Sequence, residues 1–189
     1  LLEDLTIESA LSDAGKGLYN IAKGQKVTID LNGKTINATE NSAGNFILFY
    51  NYGELTIKNG TINLTATKDR DWGAQSTIIL NRGGILNVES GTYTHNGGTD
   101  MAFVLDNSGN SFGDAEMNVN GGIMTSSYIA IRNRMEMGGY GHGKATLNVN
   151  GGTINGTSRA IWAQASSASN TAPATGIKVK LSANAFIIY

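Results

Sequence analysis

Cysteine is absent from the chain, and this absence excludes several classes of protein. A small disulfide-stabilised domain, a cysteine metal site and a thiol nucleophile all need residues that are missing. Proline occurs once, as Pro173. Charged residues are also scarce, at 15% of the chain, and the net charge is −1. This balance argues against nucleic acid or an anionic membrane as the main partner.

Long apolar runs are absent as well, so the sequence predicts no membrane span. The chain begins with Leu1 and shows no signal-peptide pattern. It starts within one strand pattern and stops within another, at residues 186–189. We therefore expect a piece of a longer protein. Residues 1–189 are expected to form one domain, with an N-terminal rung or cap over 1–26 and regular rungs over 27–189.

Glycine, by contrast, is abundant, at 25 residues, and Asn, Thr and Ser fill the polar positions. These residues alternate with aliphatic ones along much of the chain. Such a composition is typical of an all-β protein with many tight turns.

A motif of alternating apolar and polar residues followed by glycine recurs about every 30 residues. Its most complete copy is Leu147-Asn148-Val149-Asn150-Gly151-Gly152-Thr153-Ile154. A fixed period of this length indicates a stacked repeat architecture. Alternation should turn the apolar residues inward and the polar ones outward, and the glycine should occupy the bend that follows.

Stacking predicts straight columns of equivalent residues. One inner column should contain Val27, Leu55, Leu86, Met117, Leu147 and Ile177, and a second face should turn Ile36, Ile62, Tyr93, Met124 and Ile154 inward. The polar residues Thr28, Thr56, Asn87, Asn118 and Asn148 should form an outer ladder with hydrogen bonds between rungs.

These runs resemble the rungs of single-stranded right-handed parallel β-helices. They are most similar to the pectate-lyase-like solenoid modules of bacterial surface, adhesin-like proteins, and related modules occur in phage fibres and tailspikes. The resemblance covers nearly the whole chain from Leu18. It implies an all-β solenoid of six to seven rungs and an extracellular place, on a bacterial cell surface or a virion. Because this fold serves lyases, hydrolases, adhesins and inert stalks alike, it leaves the activity open.

A third strand in each rung carries apolar residues on both sides. We expect Phe49, Ile79, Leu105, Ile131 and Ile161 to point inward, and Tyr50, Leu80, Asp106, Arg132 and Trp162 to point outward. Leu48, Ile78 and Val104 are also expected outside. A strand that is apolar on both faces is normally covered. The cover would be the protein's own loops, a neighbouring domain or a second copy of the chain.

Catalytic chemistry finds little support in the sequence. Glycoside hydrolysis needs converging carboxylates and lyase chemistry needs a base, commonly with Ca²⁺. Asp106 and Arg132 fall in register on adjacent rungs, which predicts an ion pair rather than a catalytic pair. His95 and His142 are expected in surface loops. The sequence therefore indicates no catalytic residue, no metal and no cofactor, and Ca²⁺ is the one ion that the resemblance leaves open.

Ligand binding is the better prediction. Trp72, Trp162 and Tyr140 are the candidates for stacking on sugars, because aromatic faces bury the apolar faces of sugar rings. Asp106 and Arg132 would complete the site beside them. The leading hypothesis is a non-catalytic extracellular module, adhesin-like or a scaffold, that binds glycan or protein through the third strand and its loops. A polysaccharide lyase or hydrolase, including a tailspike depolymerase fragment, is one alternative. A purely structural stalk or virion decoration protein is another.

Overall fold

A computed structural model describes residues 1–9, 18–41, 43–69, 74–98, 101–135, 143–165 and 176–188. The described residues form β-strands and turns, without an α-helix among them. The first ten strands are β1 (Leu5–Ser9), β2 (Tyr19–Ile21), β3 (Lys26–Asp30), β4 (Thr35–Glu40), β5 (Phe46–Asn51), β6 (Glu54–Lys58), β7 (Thr61–Ala66), β8 (Ser76–Arg82), β9 (Ile85–Val88) and β10 (Thr92–Asn96). The others are β11 (Ala102–Gly109), β12 (Ala115–Val119), β13 (Ile123–Ser126), β14 (Ile129–Met135), β15 (Ala145–Val149), β16 (Gly152–Gly156), β17 (Arg159–Ala165), β18 (Ile177–Leu181) and β19 (Ala185–Ile188).

The strands stack into a parallel β-solenoid because each one pairs with the strand three places further along the chain. Sheet 1 has six strands in the order β18-β15-β12-β9-β6-β3. Sheet 2 has seven, β1-β4-β7-β10-β13-β16-β19, and sheet 3 has six, β17-β14-β11-β8-β5-β2. The predicted all-β solenoid with rungs of about 30 residues is confirmed. Strands β1 and β2, from the predicted cap region, join sheets 2 and 3 at one end.

The register confirms most of the predicted columns. In sheet 1, Leu55 pairs with Val27 and Leu86, and Met117 pairs with Leu86 and Leu147. The prediction for the last rung is wrong, because Val179 rather than Ile177 lies opposite Leu147. The copy at β18 lacks the glycine that marks the end of the motif elsewhere, so the sequence contains nothing that sets its register.

Sheet 2 follows its predicted column from Ile36 through Ile62, Tyr93, Met124 and Ile154. All five side chains are buried in the single large core of the solenoid. The Tyr93 hydroxyl donates a hydrogen bond to the Ser90 carbonyl at 2.6 Å, which satisfies its polar end, and burial raises the pKa of Tyr93.

The glycines after the sheet 1 strands occupy the predicted bend. Gly122 and Gly152 both have a φ of +93°, in the left-handed region that side chains disfavour. A Cβ on Gly152 would lie 2.5 Å from the Gly122 carbonyl oxygen. Rungs stack this closely at the corner only because neither residue carries a side chain.

Sheet 3 departs from simple alternation, and this corrects a prediction. Leu48, Ile78 and Val104 are not on the outer side but fully buried in the main core. The ladder pairs Ile47 with Thr77 and Phe49 with Ile79 but skips the position between them. At that irregularity two successive residues, such as Leu48 and Phe49, both face the main core. These three residues therefore offer no surface to a second copy or a neighbouring domain.

A ladder of buried asparagines lines the corner after sheet 3. Each amide nitrogen donates to the next amide oxygen, from Asn51 to Asn81 at 2.7 Å, from Asn81 to Asn107 at 2.8 Å and from Asn107 to Asn133 at 2.7 Å. Each nitrogen also donates to a backbone carbonyl, as Asn107 does to Thr146 at 2.9 Å. The ladder thereby connects the sheet 3 strands to the first residues of the sheet 1 strands in the neighbouring rungs.

Candidate functional site

The outer side of sheet 3 brings together three of the predicted site residues in one column. Asp106 pairs with Arg132, and Arg132 pairs with Trp162, on successive strands. The Arg132 Nε donates to one Asp106 carboxylate oxygen at 3.0 Å, and its Nη2 donates to the other. The predicted cross-strand ion pair is therefore confirmed, in a two-point geometry that fits the guanidinium fork.

Loop residues close over this pair. Gln75 accepts a hydrogen bond from Arg132 through its side-chain oxygen. The Arg132 guanidinium lies 3.9 Å from the centre of the Phe103 ring, and Met101 lies against its other nitrogen. Arg132 is only 1% exposed as a result, and Asp106 is fully buried. The protein's own chain thus covers this part of the outer face, as one of the three predicted covers would do.

The charge on Asp106 is retained despite its burial. Burial alone would raise the pKa of Asp106, but the charges of Arg132 and Arg134 and hydrogen bonds from Arg132 and Gln75 outweigh it. The pKa of Asp106 is therefore lowered. Because both partners are buried and bonded to each other, Asp106 and Arg132 anchor the loops to the sheet and leave no free group for a ligand.

The other predicted residues are placed less favourably. Trp162 is half-buried, with the Arg159 guanidinium 5.3 Å from its ring centre, and it remains reachable. Trp72, Tyr140 and His142 lie outside the described residues. The surface position expected for His95 is wrong. Its side chain is buried inside the coil on β10, with Nε2 2.8 Å from the Ser76 hydroxyl oxygen.

A groove at the corner between sheets 3 and 1 is a second candidate site. It has a volume of about 480 Å³. Tyr52 lines it where β5 turns into β6, and Asp114 lines it from the loop before β12. Its base contains Gly53 and Gly84, and a Cβ on Gly84 would lie 2.5 Å from the Gly53 oxygen. The groove exists because these turns carry no side chains.

An aromatic cluster stands beside the groove. The rings of Tyr52 and Phe112 meet edge to face at 5.3 Å, and Tyr52 meets Tyr50 at 4.6 Å. The Arg82 guanidinium lies 5.5 Å from the Phe112 ring centre and donates to the Tyr50 hydroxyl at 2.6 Å. Phe112 nevertheless remains 51% exposed. Burial, followed by the hydrogen bond with Tyr50, raises the pKa of Tyr52 further above its ordinary value of about 10.

The loop that carries Phe112 is held in place. Asn110 and Gly113 exchange two backbone hydrogen bonds of 3.1 Å, and the Phe112 amide donates to the Asn110 side chain at 2.8 Å. The Lys23 ammonium, in the turn between β2 and β3 at the same corner, donates to the Phe112 carbonyl at 3.3 Å. Phe112 is therefore presented to solvent by a preorganised turn, and ordering it on binding would cost little entropy.

Charges of both signs surround the groove. Lys26 forms an ion pair with Glu54 at 2.7 Å, and Asp114 accepts a hydrogen bond from the Lys144 amide at 2.8 Å. Carboxylates, a lysine and a tyrosine hydroxyl together supply acceptors and donors for a polyhydroxylated ligand. Each carboxylate already has a structural partner in this arrangement. Elsewhere in the described parts of the chain, no group of three or more acidic or histidine residues is placed to hold a metal.

The sequence pattern does not reveal this site. Tyr52 and Phe112 lie in different rungs, and each is a single aromatic residue in a glycine-containing turn. The available signal is that both follow strands of sheet 3, on the side from which the longer loops emerge. No protein-family model matches the chain, and searches of curated proteins and of solved structures give no match.

Proposed function

We propose that this chain is a non-catalytic, extracellular β-solenoid module that binds a neutral glycan in the groove between sheets 3 and 1. The observation that carries the proposal is the exposed ring of Phe112 beside an open groove with a glycine base. An aromatic residue half exposed on a rigid turn is a ready surface for a sugar ring. The proposal moves the binding site from Trp162 and Arg132 to the turns after the same sheet.

The polar groups favour a neutral ligand over a charged one. Lys26 and Glu54 neutralise each other, and the negative charge of Asp114 is set against the cations of Arg82 and Lys23 beside Phe112. A strongly anionic glycan would meet both carboxylates, whereas sugar hydroxyls can donate to them. The glycine base allows a flat ring to approach the backbone, where carbonyl groups accept further hydrogen bonds.

The carboxylates support binding rather than catalysis. A glycosidase needs one carboxylic acid that is protonated and one carboxylate placed across the scissile bond. Glu54 is instead paired with Lys26, and Asp114 is held by the Lys144 amide. Polysaccharide cleavage by this chain is the competing hypothesis. Release of reducing ends or unsaturated products from mixed polysaccharides would overturn the non-catalytic proposal.

A glycan array tests the binding site directly. The wild-type protein should bind one class of neutral glycan, and Phe112→Ala should weaken this binding at least tenfold, the effect of losing one aromatic contact worth about 1.5 kcal/mol. Phe186→Ala is the matched control, because Phe186 is also exposed, at 67%, but lies at the far end of sheet 2. An equal loss in both variants, or no binding by the wild type, would contradict the proposal.

A further inference from the structure

The candidate groove between sheets 3 and 1 is elongated along the solenoid axis. Its floor is built by the corner turns of three successive rungs, which contribute residues 24–25, 52–53 and 83–84. These turns stack directly on one another. The Glu54 amide donates to the Gln25 carbonyl at 2.8 Å. The Ile85 amide donates to the Gly53 carbonyl at the same distance, so the floor is continuous from the first rung to the third.

The groove reaches from the first rung to the fourth. Lys26, Glu54 and Ile85 line it at the starts of three strands of sheet 1 that pair in register. Asp114 lines the far end, just before the next strand of sheet 1. Because rungs are about 4.8 Å apart, three rung spacings make the groove about 14 Å long. A single sugar ring is shorter than this and would leave much of the groove empty.

A longer loop runs beside the groove. The corner turns of the second and third rungs have two residues each, whereas the corner of the fourth rung has five, at 110–114. This loop folds back over the earlier rungs. The Phe112 ring lies 5.3 Å from the Tyr52 ring of the second rung, and Lys23 of the first rung donates to the Phe112 carbonyl. The exposed Phe112 ring therefore stands beside the middle of the groove and not at its end.

The two ends of the groove differ. At one end the fifth rung packs against the loop, since the Lys144 amide donates to the Asp114 carboxylate at 2.8 Å. The Gly143 amide donates to the Asn110 carbonyl at 3.1 Å in the same contact. At the other end Gly24 is exposed, and a Cβ there would meet none of the described residues within 4 Å. A linear chain can therefore leave the groove past Gly24, whereas the fifth rung stands in its way beyond Asp114.

We propose that the groove holds the end of a linear neutral glycan, which lies along the solenoid axis. It accommodates about three sugar units, because a sugar ring with its linkage is about as long as one rung spacing. The terminal unit lies at Asp114, a middle unit lies against Phe112, and the chain passes Lys26 and leaves at Gly24. This inference rests on the proposed function, since it takes the groove as the glycan site. A single sugar contacts fewer rungs and binds more weakly.

Calorimetric titration of the whole chain with neutral oligosaccharides of defined length tests the inference. The probes are the cello-, xylo-, manno- and chitooligosaccharides, each from the single sugar to the pentasaccharide. At least one series should bind. Within that series the affinity should rise by about tenfold or more from the disaccharide to the tetrasaccharide, because the longer chain contacts more rungs. The pentasaccharide should bind about as tightly as the tetrasaccharide, since its added unit lies beyond the groove.

Two groove variants locate the chain within the site. Asp114→Asn should weaken the disaccharide and the tetrasaccharide by the same factor, since both place their terminal unit there. Lys26→Ala should weaken the tetrasaccharide alone, by about threefold or more, because the disaccharide ends before it. Lys58→Ala is the matched control, since Lys58 also forms an ion pair on sheet 1, with Asp30 at 3.4 Å, but lies outside the groove. It should leave both affinities unchanged, and circular dichroism should show all variants folded.

The possible outcomes separate this inference from the proposed function. Equal affinity for a single sugar and its tetrasaccharide would overturn the linear arrangement and leave the neutral-glycan proposal standing. Equal effects of Lys26→Ala and Lys58→Ala on the tetrasaccharide would also overturn it. Failure of all four series to bind, together with an empty glycan array, would reject the proposed function and this inference with it.

Discussion

At the scale of the residue, the buried asparagines make their side-chain hydrogen bonds within the fold rather than to water. Asn107 accepts from Asn81, donates to Asn133 and donates to the Thr146 carbonyl, and it has no exposed surface. Asn118 makes bonds of the same kind in the outer ladder, with Asn87 and Asn148, but it is partly exposed to water. The outer ladder predicted from the repeat is confirmed by hydrogen bonds from Thr56 to Asn148, and Thr28 lies in register with it.

This difference predicts unequal costs for the same substitution. Asn107→Ala should lower the free energy of unfolding by about 3 kcal/mol or more, because buried partners lose their bonds and cannot reach water. Asn118→Ala should cost about 1 kcal/mol or less, since water replaces the lost bonds. Urea unfolding at neutral pH measures both. Equal costs would show that burial does not determine how much these ladders contribute to the free energy of unfolding.

The Asp106–Arg132 pair predicts a pH dependence. Because the pKa of Asp106 is lowered in the folded protein, its contribution to stability is fully present above the unfolded-state value of about 3.9. That contribution is lost as the pH falls through the lower folded-state value. Asp106→Asn should cost about 3–5 kcal/mol at pH 7, because it leaves the charge of Arg132 buried and uncompensated.

Urea midpoints of the wild type and Asp106→Asn from pH 7 to pH 2 measure this effect. The gap between them should narrow as the pH falls below about 4. The exposed Glu3 supplies the control, since Glu3→Gln removes a surface carboxylate and should change stability by about 0.5 kcal/mol or less at pH 7. A constant gap over the whole range would show that Asp106 does not titrate with folding.

At the scale of the element, the break in alternation in sheet 3 decides which residues reach the core. Ile78→Ala should cost about 2–5 kcal/mol, as expected for a cavity in a packed interior. Ile85→Ala is the matched control, because Ile85 is 41% exposed at the start of β9 and should change stability by about 0.5 kcal/mol or less. A small effect of Ile78→Ala on the urea midpoint would indicate that this side chain lies on the outer side of the sheet, as simple alternation predicts.

Sequence reasoning succeeds in sheets 1 and 2 for a physical reason. There, the strands keep the two-residue alternation, and a glycine stands between the sheet 1 strand and the sheet 2 strand of every rung except the last, so spacing determines register until β18. In sheet 3 the alternation breaks at Leu48, and a period of two assigns this residue to the wrong side. His95 was misplaced because its neighbouring glycines suggested a loop, whereas β10 continues through it.

The binding groove depends on contacts that no local pattern contains. Phe112 reaches Tyr52 only because the loop after β11 folds back over Gly83, where a Cβ would lie 3.0 Å from the Gly113 nitrogen. In contrast, the Asp106–Arg132 pair was predictable, since both residues occupy the same position in successive repeats. Spacing in the sequence therefore predicts contacts between residues that recur in successive rungs. It does not predict contacts made by a residue that occurs in one rung only.

At the scale of the whole molecule, the solenoid presents different chemistry in different directions. The corner between sheets 3 and 1 carries aromatic and charged groups, and the middle of the outer side of sheet 2 carries asparagine and threonine residues. Each rung contacts mainly the rungs above and below it, so stability should be close to a sum of repeats and their interfaces. No described helix is long and apolar enough to cross a membrane.

The asparagine ladders also have a direction. Inside the coil, the amide donors point from Asn51 towards Asn133. Outside, they point the opposite way, from Asn148 through Asn118 to Asn87, and the Glu116 carboxylate fixes the orientation of the Asn118 amide. The inner and outer rows are thus opposed dipoles along one axis. If rungs were added to the solenoid, each would extend both ladders. The side-chain dipoles of the inner ladder would then still oppose those of the outer ladder.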